Sequence, residues 1–250
     1  MNLKEFFEKS PKTALALSGG VDSAYLLYAA LQWGADIRPY FVKTPFQPRF
    51  ELEDARALAG GLGAELRVLE VDILALPEVA ANPPERCYFC KKGMFSAIAR
   101  AAGEEGCPLV VDGTNASDPE GDRPGMRALR ELGVRSPLRE CGLTKKEVRR
   151  LSREAGLSVW DKPAYACLAT RIPTNTPITP KDLERTGRAE DFLISLGLRD
   201  LRVRLLDGCA RIQVPEERLA AVLERREEIL KKLGQDYGGV LLDLEVRNGA

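Results

Sequence analysis

Short apolar runs alternate with longer amphipathic stretches along the first 155 residues of the chain. The runs have the length of buried strands, and the stretches repeat apolar residues at the spacing of helices. Strands are predicted over residues 13–17, 37–42, 65–71, 109–111 and 134–138. Helices are predicted over residues 24–31, 49–62, 90–102 and 144–155. The alternation predicts an α/β fold, a doubly wound parallel sheet with helices on both faces.

Prolines interrupt the segment from residue 162 to residue 180, so that it cannot form a single helix. We interpret residues 166–180 as an active-site loop and linker. It separates an α/β domain at residues 1–165 from a small α+β domain at residues 181–250. In the small domain, helices are predicted over residues 181–196 and 216–233, and strands over residues 201–206, 210–214 and 240–246. This order predicts a small antiparallel sheet with two helices.

The composition limits which functions and which metal ligands this chain can have. The chain has 37 Lys and Arg residues against 37 Asp and Glu residues, a balance that argues against a general nucleic-acid-binding surface. It has no histidine, so any metal ligands must be cysteine, carboxylate or backbone groups. No signal peptide and no apolar stretch of about 20 residues is present, which leads us to expect a cytoplasmic protein with reduced cysteines and no membrane partner.

The sequence SGGVDS lies between the first predicted strand and the first predicted helix. Two adjacent glycines permit a tight turn whose N–H groups face an anion, and the helix N-terminus adds its dipole. The turn lacks the lysine of a Walker A loop and has an aspartate, a candidate Mg²⁺ ligand, in its place. An ordinary glycine turn without a ligand is the alternative. The candidate phosphate-binding residues are Ser18, Gly19, Gly20, Val21, Asp22 and Ser23.

Polar residues also follow two other predicted strands. Lys43 comes after the second strand, and Asp112, Gly113, Thr114 and Asn115 come after the fourth. The carboxyl ends of parallel strands meet at one edge of the sheet. These residues are therefore expected to line a nucleotide site together with the glycine turn.

Three cysteines stand out by their surroundings. Cys87 and Cys90 form a C-x-x-C pair before a predicted helix, a pattern found in half zinc sites, iron–sulfur sites and redox pairs. Cys167 lies in the proline-rich loop. Three thiolates would hold three irons of a [4Fe–4S] cluster and leave the fourth iron open. The alternative is that cysteines here are small buried apolar residues, the interpretation we favour for Cys107, Cys141 and Cys209.

Arginines accompany the cysteine loop and the small domain. Arg171 follows Cys167, while Arg202 and Arg204 alternate along one strand and share a face. Guanidinium groups in a row suit phosphate or carboxylate recognition. A solvated sheet face is the alternative. Further basic residues flank the motifs: Arg86, Lys91, Lys92 and Lys162.

The motifs SGGVDS, RCYFCKK, VDGTNASD and KPAYACLATRIP occur in this order, and with them the chain resembles the LarE family of PP-loop ATP pyrophosphatases. The resemblance implies the adenine nucleotide alpha hydrolase-like fold. It also implies sulfur insertion in the synthesis of the nickel-pincer nucleotide, the lactate racemase cofactor. In that family, ATP adenylates a carboxylate of pyridinium-3,5-biscarboxylic acid mononucleotide and pyrophosphate leaves. A sulfur nucleophile then displaces AMP to give a thiocarboxylate.

Two variants exist in this family. In one, a single cysteine gives up its own sulfur; in the other, three cysteines hold a [4Fe–4S] cluster that donates sulfide. With Cys87, Cys90 and Cys167, this chain resembles the cluster variant. The resemblance thus implies ATP, Mg²⁺ and a [4Fe–4S] cluster as cofactors, and a catalytic set of Cys167, Cys87, Cys90 and Asp22. It also implies that the substrate's phosphate or carboxylate is bound by Arg171, Arg202 and Arg204.

Two other functions share parts of this pattern. A tRNA thiolation enzyme also has the PP-loop and often three cysteines, but zero net charge and a single C-x-x-C argue against it. A non-catalytic ATP-binding protein with a structural metal needs no reactive loop cysteine. We expect a small nucleotide as substrate, no nucleic-acid partner, and a homo-oligomer assembled with the help of the C-terminal domain.

Overall fold

A computed structural model describes residues 2–118, 123–163 and 165–247. The chain forms two compact units. One comprises Met1–Val79 and Glu85–Lys162, and the other comprises Ala80–Pro84 and Pro163–Ala250. Ala164, which lies in the motif KPAYACLATRIP, is outside the described residues.

The first unit contains a parallel sheet with the strand order β3-β2-β1-β4. Its strands are β1 (Lys12–Ala16), β2 (Asp36–Lys43), β3 (Arg67–Glu70) and β4 (Leu109–Val111). The helices that begin in it are α1 (Leu3–Lys9), α2 (Val21–Gln32), α3 (Arg49–Gly61), α4 (Pro77–Ala80), α5 (Arg86–Glu104), α6 (Pro124–Glu131), α7 (Pro137–Glu140) and α8 (Lys145–Glu154). The order places β1 at the centre, with the turn that follows it at the edge where parallel strands end.

Both faces of this sheet are covered. Side chains alternate along a strand, so neighbouring residues of β1 enter different cores. Leu15 packs in one core with apolar residues of α1, α2, α3 and α8. Ala14 packs in the other with Phe95 and Ile98 of α5 and Leu129 of α6. The predicted doubly wound α/β fold is confirmed.

The predicted fifth strand at residues 134–138 is wrong. Arg135 makes one parallel bridge with Val111, and the chain then enters α7 at Pro137. Proline has no N–H to donate to a sheet and is favoured in the first turn of a helix, which explains the early end of pairing. Helices α1 and α6 were not predicted from the sequence.

The second unit is built on a three-stranded sheet in the order β5-β6-β7. Its elements are α9 (Pro180–Ser195), β5 (Arg202–Leu206), β6 (Cys209–Gln213), α10 (Leu219–Glu224), α11 (Arg226–Leu233) and β7 (Val240–Leu242), with short 3-10 helices at Leu168–Arg171 and Glu216–Arg218. Asp207 and Gly208 both have positive φ, as the two-residue hairpin between β5 and β6 requires.

Two details of the second unit differ from the sequence prediction. The pair β5–β6 is antiparallel as expected, but β6 and β7 are parallel, so the sheet is mixed. The helical segments between β6 and β7 carry the chain back along the sheet, which is what a parallel connection needs. The helix predicted over residues 216–233 is divided into a 3-10 turn, α10 and α11.

The short stretch Ala80–Pro84 is tied to the proline-rich loop within the second unit. The Asn82 side chain donates hydrogen bonds to the carbonyl oxygens of Pro173, at 2.8 Å, and Thr176, at 3.1 Å. The backbone N–H of Asn175 returns a bond of 2.8 Å to the Asn82 carbonyl. Within the described part of the chain, no helix is both long and apolar enough to cross a membrane.

The capping box at the start of α8 supplies a stability test. The Thr144 hydroxyl accepts the Glu147 N–H, and the Glu147 carboxylate accepts the Thr144 N–H at 2.9 Å. We expect Thr144→Ala to lower the free energy of unfolding by about 1 kcal/mol, measured by urea denaturation, because an N-cap acceptor is lost. Thr144→Ser keeps the acceptor and serves as the control. Equal stability of the alanine and serine variants would contradict this role.

Candidate active site

A cleft of about 290 Å³ opens in the first unit where the strands of the sheet end. Ligands of open α/β sheets bind at this edge, and the volume is near that of small-molecule pockets. One part of the lining is apolar and comprises Ala16, Leu17, Tyr40, Phe41, Val42, Met94, Phe95 and Ile98. The other part is mostly polar and comprises Ser18, Asp22, Ser23, Gln47, Glu51, Lys91, Asp112, Gly113 and Thr114. An apolar side for a ring and a polar side for phosphates suit a nucleotide.

Hydrogen bonds between two of its serines stabilise the turn between β1 and α2. The hydroxyls of Ser18 and Ser23 lie 3.2 Å apart, and Ser23 also accepts the Ser18 N–H at 3.2 Å. Gly19 has a φ of +72°, a conformation that glycine adopts without strain. Gly20 is the N-cap of α2 and offers no side-chain acceptor to the first N–H groups of that helix. Such a helix N-terminus is a ready site for an anion.

Gly113 brings the end of β4 against this turn. A Cβ atom on Gly113 would lie 2.8 Å from the Ser23 backbone nitrogen and 3.1 Å from its Cα. Any side chain larger than hydrogen would therefore push β4 and α2 apart. The predicted placement of Gly113 beside the glycine turn thus has a steric reason.

The carboxylate of Asp112 is held in one orientation by its neighbours. Thr114 donates to it through its hydroxyl, at 2.5 Å, and through its backbone N–H, at 3.2 Å. Ser136 donates a third hydrogen bond, of 2.7 Å. Asp112 and Thr114 both line the cleft, so a fixed acceptor faces the polar part of the site.

Asp22 forms an ion pair that the sequence did not reveal. Its carboxylate lies 2.5 Å from the Lys145 ammonium and accepts a 3.2 Å hydrogen bond from the Asn115 side chain. Lys145 is the first residue of α8, directly after the Thr144 cap. Lys145 therefore supplies, from another part of the chain, the positive charge that a Walker A loop obtains from its own lysine. The two residues are 123 positions apart, so spacing along the chain gave no sign of the contact.

Lys162 fixes the turn from another direction. Its ammonium donates to the Gly19 carbonyl at 3.1 Å and pairs with the Asp54 carboxylate at 2.6 Å. On the α3 side, a Cβ on Gly19 would lie 3.2 Å from the Glu51 carbonyl oxygen. The backbone of the turn is therefore held between the α3 backbone and a lysine side chain.

Lys43 differs from the other predicted nucleotide-binding residues. Its ammonium pairs with Glu70 on β3 at 2.8 Å and lowers the pKa of that carboxyl group. The residues that line the described cleft do not include Lys43. A nucleotide contact of Lys43 stays a prediction. Gln47, by contrast, lines the cleft and accepts the Thr44 N–H at 2.8 Å, and it was not predicted.

The candidate metal ligands are divided between the two units. Cys87 and Cys90 lie near the start of α5, at a spacing that places them on one side of the helix. Cys87 is exposed and lies 3.8 Å from an Arg86 nitrogen, while Cys90 is half-buried and lies 3.7 Å from the Met94 sulfur. Cys167 belongs to the second unit.

All six cysteines are described and are present as thiols. Considering the described residues alone, no group of three or more cysteine, aspartate and glutamate side chains stands in an arrangement that would hold a metal ion. The binding of a cluster by Cys87, Cys90 and Cys167 stays a prediction. The chemical types fit, because thiolates are the usual ligands of iron–sulfur clusters.

The three arginines predicted to bind substrate lie together in the second unit. Arg171 is buried and pairs with Glu190 at 2.7 Å. Arg202, on β5, is also buried, whereas Arg204 is half-buried and donates to the Thr170 carbonyl at 2.6 Å. Burial, followed by repulsion from Arg171, lowers the pKa of both Arg202 and Arg204. Mutually repelling guanidinium groups favour a bound anion.

Comparisons with known proteins give matches over nearly the whole chain and weaker, partial ones. An uncharacterized protein of Synechocystis is 39% identical, over 98% of this chain and 92% of its own length. Pyridinium-3,5-bisthiocarboxylic acid mononucleotide synthase of Lactiplantibacillus plantarum is 34% identical, over 93% of this chain and 86% of its own length. A tRNA-specific 2-thiouridylase of Clostridium botulinum is 26% identical over 60% of this chain and 51% of its own length. No protein-family model matches the sequence.

The steric role of Gly113 gives a direct test of the cleft. We expect Gly113→Ala to weaken ATP binding at least about tenfold by calorimetry, because its Cβ would overlap the Ser23 backbone and move the phosphate-binding turn. Gly103→Ala is the matched control, since a Cβ on Gly103, in α5, meets nothing within 4 Å. ATP affinity that is equal in the two variants would show that the turn does not depend on this contact.

Proposed function

Because the chain belongs to the LarE family of ATP-dependent sulfurtransferases, we propose that it converts the carboxylates of pyridinium-3,5-biscarboxylic acid mononucleotide to thiocarboxylates. The nucleotide so formed is the precursor of the nickel-pincer cofactor. The observation that carries the proposal is the cleft of the first unit, where an apolar lining meets residues of the glycine turn and the fixed carboxylate of Asp112. Lys145 pairs with Asp22 of that turn. The name of the Lactiplantibacillus relative supports the choice of substrate.

Activation of the carboxylate is the first step. A carboxylate oxygen of the substrate attacks the α-phosphorus of ATP, the bond from that phosphorus to the bridging oxygen breaks, and pyrophosphate leaves with the electron pair. N–H groups of the turn and the Lys145 ammonium stabilise the charge on the departing pyrophosphate. Asp22 and Asp112 would hold Mg²⁺ together with phosphate oxygens, since carboxylates are the ligands that Mg²⁺ prefers.

Sulfur transfer is the second step. A sulfur nucleophile attacks the carbonyl carbon of the adenylate, the carbon–oxygen bond to AMP breaks, and AMP leaves as the thiocarboxylate forms. Thiolate and sulfide sulfur are strong nucleophiles and need no histidine base, which agrees with a chain that has none. A [4Fe–4S] cluster held by Cys87, Cys90 and Cys167 would supply the sulfide.

The second unit provides the groups for the substrate's negative charges. Arg202 and Arg204 bind the phosphate or the second carboxylate. Burial and repulsion from Arg171 lower the pKa of both guanidinium groups, which supports this role because a bound anion relieves the repulsion. We also propose that the chain forms a homo-oligomer through the second unit. Exposed apolar side chains there support this, namely Leu223, Leu230 and Leu244.

Lys145 is the residue whose removal tests the activation step. We expect Lys145→Met to lower the rate of substrate-dependent pyrophosphate release about 100-fold, since one cation at the departing charge is lost. The neighbouring Lys146 is exposed, so Lys146→Met changes the net charge equally and is expected to keep the wild-type rate. Equal rates for the two variants would remove Lys145 from the activation step.

The cluster is tested by chemical analysis under anaerobic conditions. We expect reconstituted protein to hold about four irons per chain with matching sulfide, and Cys87→Ala to lose them because one of three ligands is missing. Cys209→Ala, in β6, is the control and should retain the iron. A colourless wild-type protein after reconstitution would contradict the cluster and favour donation of sulfur by a single cysteine.

A further inference from the structure

The loop that carries Cys167 contains a buried ion pair. The side chains of Arg171 and Glu190 are 0% and 2% exposed. Arg171 donates through Nε to Glu190 Oε1 at 2.7 Å and through Nη2 to Oε2 at 3.1 Å. This two-point geometry fixes the guanidinium plane, which a single contact would not.

Glu190 joins three parts of the second unit. It lies on α9, and besides Arg171 it accepts the backbone N–H of Val203 on β5 at 2.8 Å. The Tyr165 hydroxyl, two residues before Cys167, also donates to it. One carboxylate therefore connects the cysteine loop to a helix and a strand.

The remaining donors of Arg171 are directed to the cysteine turn itself. Nη1 donates to the Ala166 carbonyl at 3.0 Å and to the Thr170 hydroxyl at 2.7 Å. The Thr170 hydroxyl and N–H in turn donate to the Cys167 carbonyl at 2.8 and 3.0 Å. Cys167 is the N-cap of the 3-10 helix Leu168–Arg171. Its backbone position is thus set by Thr170, which Arg171 holds.

A buried ion pair is a costly way to stabilise a loop. Removing two charges from water often costs more than their attraction returns, and apolar residues of similar volume serve stability as well. What an ion pair adds is a fixed geometry. The full burial of Arg171 also favours a positioning role over the direct substrate contact predicted from the sequence.

We propose that Arg171, Glu190 and Thr170 are positioning residues that set the place of the Cys167 sulfur for the transfer step. This inference rests on the proposed function, and it separates the two half-reactions. The groups proposed to stabilise the departing pyrophosphate belong to the first unit, while sulfur transfer requires that the Cys167 sulfur be held in place. Misplacement of a reacting group by about 1 Å costs up to about 100-fold in rate.

Thr170→Val and Thr170→Ser form the matched pair that tests it. Valine has the shape of threonine without the hydroxyl, and serine keeps the hydroxyl. We expect Thr170→Val to release pyrophosphate at the wild-type rate but to form thiocarboxylate about tenfold more slowly, whereas Thr170→Ser behaves as wild type. Arg171→Lys, which keeps the charge and loses the two-point geometry, is expected to resemble Thr170→Val. General destabilisation of the protein would instead lower the rates of pyrophosphate release and thiocarboxylate formation together.

Alkylation of Cys167 by iodoacetamide in the apo full-length chain gives a readout without catalysis. Peptide mass spectrometry measures the alkylation rate of each cysteine. We expect Cys167 to be alkylated several-fold faster in Thr170→Val than in Thr170→Ser, and Cys209 to be alkylated at the same rate in both. If the ratio of thiocarboxylate formed to pyrophosphate released is the same in Thr170→Val and Thr170→Ser, the inference is overturned. If wild-type protein releases no pyrophosphate with the substrate, the proposed function fails, and the alkylation rates alone decide the inference. Faster alkylation of Cys167 in Thr170→Val than in Thr170→Ser then supports the positioning role, and equal rates overturn it.

Discussion

The contact between Gly113 and the backbone of Ser23 is the constraint on which the candidate active site depends. It brings the ends of two neighbouring strands, β1 and β4, to the start of one helix. The glycine turn, the fixed carboxylate of Asp112 and the Asn115 amide then share one edge of the sheet. Lys145 completes this edge through its ion pair with Asp22. The proposed phosphate chemistry at this edge therefore rests on close backbone packing as much as on the charged side chains.

The second unit uses charge differently. Beside the glycine turn, the Lys145 ammonium is partly exposed and pairs with the Asp22 carboxylate. Around Cys167, the Arg171 guanidinium is fully buried against Glu190, and the neighbouring guanidinium groups of Arg202 and Arg204 repel it. One set of charges is suited to bind and release a ligand, and the other to hold a loop and attract an anion. This division matches a reaction of two steps, activation and then sulfur transfer.

The sequence predicted the α/β fold and the glycine turn because both rest on local patterns, namely apolar periodicity and adjacent glycines. It did not predict the role of Lys145, because a contact between residues 123 positions apart produces no periodic pattern in the sequence. It also predicted a strand at residues 134–138 where Pro137 starts a helix, and an antiparallel sheet where β7 pairs in parallel with β6. Pairing partners depend on tertiary packing, which apolar spacing does not encode. The ion pair of Arg171 was hidden for the same reason.

Adenylation of the substrate carboxylate is the central claim, and an isotope experiment tests it most directly. The substrate is prepared with heavy oxygen in its carboxylates, incubated with ATP, Mg²⁺ and the reconstituted protein, and the released AMP is examined by mass spectrometry. Attack by the carboxylate on the α-phosphorus predicts that one labelled oxygen appears in each AMP. Unlabelled AMP, with sulfur nonetheless inserted, would contradict the account.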